Sequence, residues 1–202
     1  MLYHNHDGVV RSVRRAVHGR VAPRSSAPVS IEQLLRDQHI RVIEEWQTPG
    51  RFEALSIFKP SQQIVVVNRR LSPMARRFAL AHELAHGWFH RRHLSGVHQA
   101  GDYVRHPYYA LLEREANAAA AEILLPYDWF MATAHQLLPH QPLTLAEFKA
   151  FMASAAAHEW ARTAEVSLPV LGYHLIDCEW APPTPRSQVP PWASESAPPT
   201  PL

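Results

Sequence analysis

Two histidines and a glutamate in the segment RRFALAHELAHGWFHRRH have the spacing of a metal site. On a helix, His82 and His86 lie four residues apart and on one face, so both imidazoles can reach the same ion. Glu83 lies about 100° further round the helix, at the edge of that ion. There its carboxylate can accept a proton from a coordinated water, whose pKa zinc lowers to roughly 7. The spacing therefore indicates hydrolytic metal chemistry.

This motif alone is weak evidence, because a chain with 14 histidines yields roughly 0.06 such motifs by chance. A third ligand is therefore needed. His90 lies a further turn along, about 6 Å away, and is interpreted as a helix-end residue or a group outside the ligand set. The metzincin pattern would require glycine and histidine where the chain has Phe89 and Arg92, and His93 is one residue out of place.

The third ligand is expected in the later segment LLEREANAAAAEILLP. Four small residues, Ala118 to Ala121, allow this helix to approach the motif helix closely. Glu113 would then complete a site of two histidines and one glutamate, and Asn117, one turn on, could hydrogen-bond the outer nitrogen of a ligand histidine. Glu115 is interpreted as a solvated surface charge, and Glu122 as a buried polar support.

The elements that must position these residues are a small sheet and several helices. Stretches rich in β-branched and apolar residues predict strands, and a polar turn at residues 60–62 predicts a hairpin. Ser30, with Gln33 at the capping-box position, and Ser72, followed by Pro73, predict helix starts. The predicted strands cover residues 40–46, 52–59 and 63–68, and the predicted helices cover 73–90, 108–125, 127–138 and two later segments joined by a turn near 167–169.

Composition bounds the remaining possibilities. A chain of 202 residues with 47% hydrophobic content can bury one sizeable core. The net charge of +2 permits a nucleic-acid partner without arguing for one. Cys178 is the only cysteine, which excludes a disulfide framework and a cysteine-based zinc site. The sequence shows no secretory signal and no apolar run of membrane-spanning length, so we expect a cytoplasmic protein without a membrane partner.

The paired segments RFALAHELAHGWFH and EREANAAAAEILLP resemble the ImmA/IrrE family of metallo-endopeptidases. The preceding QIVVVNRRLSPMARRFALAHE is similar to the strand, asparagine and helix start of that family, and the similarity covers about residues 38–178. Ala119 departs from the family, which commonly has an aromatic residue there. The resemblance implies zinc, with Mn²⁺ or another divalent ion also usable, and assigns these roles: ligands His82, His86 and Glu113, and general base Glu83.

The resemblance also implies the fold and its organisation. We expect an α+β, zincin-like core, in which a small antiparallel or mixed sheet of about three strands packs on the helices carrying the motif and the glutamate ligand. Residues 160–175 resemble the helix-turn-helix-like segment that follows the core. The expected organisation is a flexible basic tail (1–28), the metallopeptidase domain (29–140), the helix-turn-helix-like segment (141–178) and a proline-rich disordered tail (179–202).

Family members cut helix-turn-helix repressors of the Xre/λ type and relieve repression after DNA damage or in mobile elements. The implied function is therefore a zinc-dependent endopeptidase with such a repressor as its protein partner, and a monomer is favoured. The group that stabilises the oxyanion or contacts substrate stays open among several residues. The first candidates are Tyr103, Tyr109 and Tyr173, and the others are Tyr108, His98, His106 and His174.

Two alternatives remain. One is a DNA-binding regulator or antitoxin-like protein, in which residues 143–178 would contact the DNA and the metal site would be merely structural. That segment has only Lys149 and Arg162 as basic residues against four acidic ones, so direct DNA binding is not expected. The other is the enzymatic half of a toxin–antitoxin or phage-type pair, which shares the chemistry of the first reading.

Overall fold

The computed structural model describes residues 6–18, 20–21, 27–46, 53–94 and 109–182. These residues form three strands and a series of helices around one hydrophobic core. The strands are β1 (Arg41–Glu45), β2 (Ala54–Lys59) and β3 (Gln62–Asn68). The helices are α1 (His6–His18), α2 (Ile31–Asp37), α3 (Pro73–Ala85), a π-helical segment (His86–His90), α4 (Arg91–Leu94), α5 (Tyr109–Leu124), α6 (Tyr127–Leu137), α7 (Leu145–Met152), α8 (Ala155–Ala164) and α9 (Leu168–Asp177).

The sheet is mixed, with β3 in the centre. β3 pairs in parallel with β1, where Arg41 lies opposite Ile64, and antiparallel with β2, where Lys59 lies opposite Gln62. A turn at residues 60–61 joins β2 and β3 into the predicted hairpin. The α+β class and the small three-stranded sheet are therefore confirmed.

The motif helix begins where the sequence predicts. Ser72 is the N-cap of α3, with its side chain accepting from the Ala75 amide, and Pro73 occupies the first helical position. The C-terminal end differs, because the helical path continues to Leu94 through the π-helical segment instead of ending near His90. A π-helical turn pairs each amide with the carbonyl five residues earlier and is frequent at functional sites.

The small residues of α5 pack against α3. Ala116, Ala119 and Ala120 have no exposed surface, and the two helices make extensive contact. Side chains this small let the two backbones approach closely, which brings polar groups on α5 within reach of the histidines on the neighbouring helix. This packing was predicted from the run of alanines.

The prediction of a flexible basic tail is wrong for the N-terminal residues that form α1. Val10, Val13 and Val17 are buried in the core, and α1 packs along α5. The valines recur at helical spacing and form an apolar stripe, which the dense arginines of the same segment obscured. Most of residues 1–5 and 19–28 lie outside the described part of the chain.

Arg14 is the arginine of α1 that points inward. Its guanidinium lies 3.3 Å from a carboxylate oxygen of Glu122 on α5 and 3.1 Å from the Cys178 sulfur. Glu122 is 5% exposed, and its carboxylate also lies 3.9 Å from Nε2 of His174 on α9. The buried polar support predicted for Glu122 therefore exists, and it joins α1, α5 and α9.

The C-terminal helices share the core of the rest of the chain. Phe130 on α6 stacks on Trp160 of α8 with the ring centroids 5.0 Å apart, and the Leu143 amide donates to the Trp180 carbonyl. The first of the two predicted C-terminal helices is in fact α7 and α8, because Ser154 caps a new helix start. The turn before the last helix lies at residues 165–167, close to its predicted place.

The proline-rich tail was predicted to start at residue 179, which is wrong for the four residues up to Pro182. Trp180 and Ala181 are buried in the core, because the Trp180 ring packs edge-on against His135 of α6. Residues 183–202 lie outside the described part of the chain. Among the helices that are described, none is both long enough and apolar enough to cross a bilayer.

Candidate metal centre

Three predicted ligands converge where the end of α3 meets α5. The Nε2 atoms of His82 and His86 lie 2.9 Å apart. The Glu113 carboxylate reaches both, with one oxygen 3.3 Å from the first nitrogen and the other 3.2 Å from the second. One possible ligand atom from each of the three residues lies within 4.8 Å of those of the other two. The structure thus brings together the three residues that the sequence singled out.

The spacing and chemistry of these atoms fit a divalent ion. Ligands held tetrahedrally at zinc bond lengths lie about 3.3 Å from one another, which is close to the separations observed. Two imidazoles and one carboxylate form a donor set that zinc accepts, and Mn²⁺ tolerates it. His82 and Glu113 are only partly buried, so one side of the group is accessible to solvent.

Asn117 contacts the outer nitrogen of one histidine. Its Oδ1 lies 3.0 Å from Nδ1 of His82, one turn beyond Glu113 on α5. An Nδ1–H that donates to this oxygen leaves the lone pair on Nε2, which faces the other two ligands. This is the arrangement by which outer contacts fix the tautomer of a ligand histidine.

Glu83 lies beside the ligand group without belonging to it. The residue is 6% exposed and is absent from the set of converging ligand atoms. Its negative charge contributes to raising the pKa of His82, the preceding residue of α3. The role of Glu83 as a general base stays a prediction.

The ionisation of the ligands reflects their mutual contacts. Burial opposes ionisation of Glu113, but the hydrogen bonds and charges of His82 and His86 hold its pKa far below the ordinary value. Burial likewise opposes protonation of His82, yet the hydrogen bond to Glu113 and the charges of Glu83 and Glu113 raise its pKa. These contacts favour the ionised form of the Glu113 carboxylate.

His90 and Glu115 form a second, adjoining contact. Nδ1 of His90 lies 2.9 Å from Nδ1 of His86, and its Nε2 lies 3.0 Å from a carboxylate oxygen of Glu115. His90 is 1% exposed. The interpretation of Glu115 as a solvated surface charge is wrong, because its side chain is 29% exposed and contacts this ring. The recurrence of histidine four residues after His86 was the available signal.

Gln63 on β3 is a contact that sequence reasoning missed. Its amide nitrogen donates to the backbone carbonyl of Glu83 and to the Ser56 hydroxyl, both at 2.8 Å. A Cβ built on Gly87 would lie 2.1 Å from the side-chain oxygen of Gln63. Glycine at this position therefore lets the central strand touch the motif helix. The sequence of β3 alone contains no pattern that predicts this contact.

The structure describes the side chains of only two of the predicted oxyanion and substrate groups. Tyr173 is 37% exposed on α9 and stays a prediction. His174 is 2% exposed and packs edge-on against Phe130, so its assignment as a possible substrate contact is wrong. The remaining candidates, or their side chains, lie outside the described part of the chain: Tyr103, Tyr108, Tyr109, His98 and His106.

Comparison with known proteins agrees with this architecture. A solved structure described as a Mycobacterium tuberculosis transcriptional regulator superposes with a TM-score of 0.54 at 17% sequence identity, covering 91% of this chain and 50% of the other. The chain thus spans about half the length of that protein, and the likeness concerns the fold alone. No curated protein sequence matches the chain.

The family comparison covers the site itself. The model of the IrrE N-terminal-like peptidase domain matches residues 36–175, a range that contains the sheet, the motif helix and α5. The family that the two motif segments predicted is therefore confirmed, and with it a metallopeptidase-like protein of α+β, zincin type. The chain belongs to the family of IrrE N-terminal-like domains.

Proposed function

We propose that this protein is a zinc-dependent endopeptidase that cuts a helix-turn-helix repressor. The observation that carries the proposal is the convergence of His82, His86 and Glu113 on one point, with the buried Glu83 beside it. A purely structural metal site is normally closed by four protein ligands, whereas a hydrolytic site keeps one position open. Three ligands with one accessible side fit the second case.

The residues of the chain then have distinct tasks. His82, His86 and Glu113 would hold the ion, which when bound supplies Lewis-acid activation of a water and of the scissile carbonyl. Glu83 accepts the proton of the attacking water and delivers it to the leaving amine. Asn117 keeps the proton of His82 on Nδ1, so that Nε2 stays available as a ligand.

The substrate class comes from the family resemblance. Cleavage of an Xre/λ-type repressor would release a repressed stress response or mobile element, and the repressor would be a protein partner in the cytoplasm. The family match supports a peptidase, and the partial exposure of His82 and Glu113 leaves one side of the site accessible to a substrate. We therefore propose derepression by proteolysis as the biological outcome.

Cleavage by the zinc-loaded protein tests the proposal. Purified helix-turn-helix repressors, beginning with any encoded beside the gene, are incubated with the protein, and fragments are identified by mass spectrometry. Glu83→Gln should keep the zinc affinity and reduce cleavage by about 10²–10⁴-fold, the usual contribution of a general base. The exposed Glu159 provides a matched control, since Glu159→Gln should cut at the wild-type rate.

Different failures have different meanings. Cleavage by Glu83→Gln within tenfold of wild type would refute the assigned mechanism. Cleavage of an unselected peptide library without cleavage of any repressor would keep the peptidase and reject the substrate class. Absence of zinc binding by the folded protein would refute the metal site.

A DNA-binding regulator is the second candidate, favoured by the name of the mycobacterial structure. The charges of α7 to α9 oppose it. Arg162, one of the two basic residues there, is engaged with Glu159, and phosphate contacts would require many more free cations. Gel-shift binding that persists after chelation of zinc would support this candidate over the peptidase.

A further inference from the structure

We propose that His90 and Glu115 are positioning residues, which hold His86 as a metal ligand through a chain of two hydrogen bonds. The inference rests on the proposed function, because it assigns a role in the same site. It concerns residues outside the ligand set and the general base. Both positions are fixed by described contacts on two different helices.

The chain starts at the histidine that is more deeply buried in the ligand group. His86 is 4% exposed, and its Nδ1 points away from the other ligands to Nδ1 of His90, 2.9 Å away. From there Nε2 of His90 reaches Glu115 on α5 at 3.0 Å. Glu113 and Glu115, two residues apart, thus bind opposite ends of this histidine pair.

The positions of the protons follow from metal ligation. A ligand His86 offers the lone pair of Nε2, so its Nδ1 carries the hydrogen and donates to Nδ1 of His90. That nitrogen must then be an acceptor, and the hydrogen of His90 lies on Nε2, where it donates to the Glu115 carboxylate. One orientation and one tautomer of each ring satisfy the whole chain.

The two ligand histidines are therefore held differently. His82 donates to the neutral amide of Asn117, whereas His86 is connected through His90 to a charged carboxylate. Glu115 accepts a hydrogen bond from His90, which in turn orients His86. Such a carboxylate fixes the position of the His86 ring more firmly than water would. The simpler reading is that His90 is a buried polar residue whose hydrogen bonds only stabilise the fold. Measurement of the zinc affinity distinguishes the positioning role from the purely structural role.

The first measurement is zinc affinity of the whole chain, determined by competition with a chromophoric chelator. Loss of such an outer partner typically weakens metal binding about 10–100-fold, so we expect Glu115→Ala to raise the zinc Kd by that factor. Glu115→Gln keeps an acceptor for the His90 hydrogen without its charge, and its Kd should lie between Glu115→Ala and wild type. Glu159→Ala removes one negative charge at an exposed position and should leave the Kd unchanged.

A double-substitution cycle tests the connection through His90. In a His90→Phe background the chain is already broken, so adding Glu115→Ala should change the zinc Kd by less than about twofold. Urea unfolding of the metal-free variants gives the structural contribution separately, and Glu115→Ala should unfold close to the wild-type midpoint. If His90→Phe does not fold, the single Glu115 variants decide the question.

Two results would overturn the inference. One is a zinc Kd for Glu115→Ala within twofold of wild type, whatever its effect on unfolding. The other is a loss of affinity on Glu115→Ala that is just as large in the His90→Phe background. Both presuppose a wild-type protein that binds zinc; a wild-type protein that folds and does not bind zinc would instead refute the proposed function.

Discussion

Replacing Gly87 with alanine should destabilise the protein, although alanine is the better helix former. The added Cβ would lie 2.1 Å from the side-chain oxygen of Gln63 and 2.9 Å from its carboxamide carbon. That carboxamide cannot easily retreat, because it donates to the Glu83 carbonyl and the Ser56 hydroxyl and is itself buried. The substitution must therefore displace either the amide or the helix.

The magnitude follows from the contacts that would be lost. Overpacking a well-filled interior costs about 1–3 kcal/mol, and a displaced Gln63 forfeits two hydrogen bonds of about 1 kcal/mol each. The gain in helix propensity from glycine to alanine returns about 1 kcal/mol. The net loss of unfolding free energy is thus about 2–4 kcal/mol, and a loss of 2 kcal/mol would lower the Tm of a chain of this size by about 4–8 °C.

Urea unfolding of the metal-free protein measures this loss. Gln63→Ala in the same chain empties the space that the new methyl group needs, so the double variant should be less destabilised than the sum of the two single variants. A coupling of at least about 1 kcal/mol is expected. A Gly87→Ala protein as stable as wild type, or strictly additive single effects, would refute the close contact between strand and helix.

Four further outcomes concern the buried polar groups and the ion. Arg14→Ala should lower the unfolding free energy by about 1–3 kcal/mol because the buried Glu122 loses its partner, whereas the exposed Arg15→Ala should change it by under about 0.5 kcal/mol; equal effects in urea unfolding would contradict this. Burial raises the pKa of Glu122 to about 7 against the opposing charge of Arg14, so its ionisation favours the unfolded chain as the pH rises from 4.5 to 7. Glu122→Gln should flatten this fall in Tm, and an unchanged profile would argue against the burial. Burial, reinforced by the charge of Arg14, lowers the pKa of His174 to about 3. The contribution of neutral His174 to stability should therefore be lost as the pH falls from 6.5 toward 3. His174→Phe should remove this loss from the profile of Tm against pH. Zinc at 100 times its Kd should add about 2.7 kcal/mol to wild-type stability, and His86→Ala should abolish this gain.

The parts of the site that follow from local rules could be predicted from the sequence. The helical period alone places His82 and His86 together, and the same period places Asn117 one turn beyond Glu113. The run of alanines indicates which helix can approach closely enough to supply the third ligand. Short stretches of β-branched residues are sufficient to identify the strands.

The parts of the fold and of the site that depend on packing could not be predicted from the sequence. Glu115 resembles a surface charge until the position of His90 on another helix is known. The contact between Gln63 and Gly87 joins a strand to a helix 24 positions away in the sequence, and neither residue is unusual in its own element. In α1 the arginines dominate the composition. The valine stripe can be identified as a core-facing surface only once α5 is known to cover it.

The helix α5 shows how identical residues acquire different roles. Its three glutamates face a pair of ligand histidines, the outer ring of His90, and the inward-pointing Arg14, respectively. The sequence spacing determines the face of the helix on which each glutamate lies. The residue that each glutamate contacts depends on which element packs against that face. Because α1 and α9 pack on α5, segments that flank the motif in sequence also hold in place the helix that carries the predicted third ligand. We therefore expect the geometry of the candidate metal site to depend on α1 and α9, which contain none of its predicted ligands.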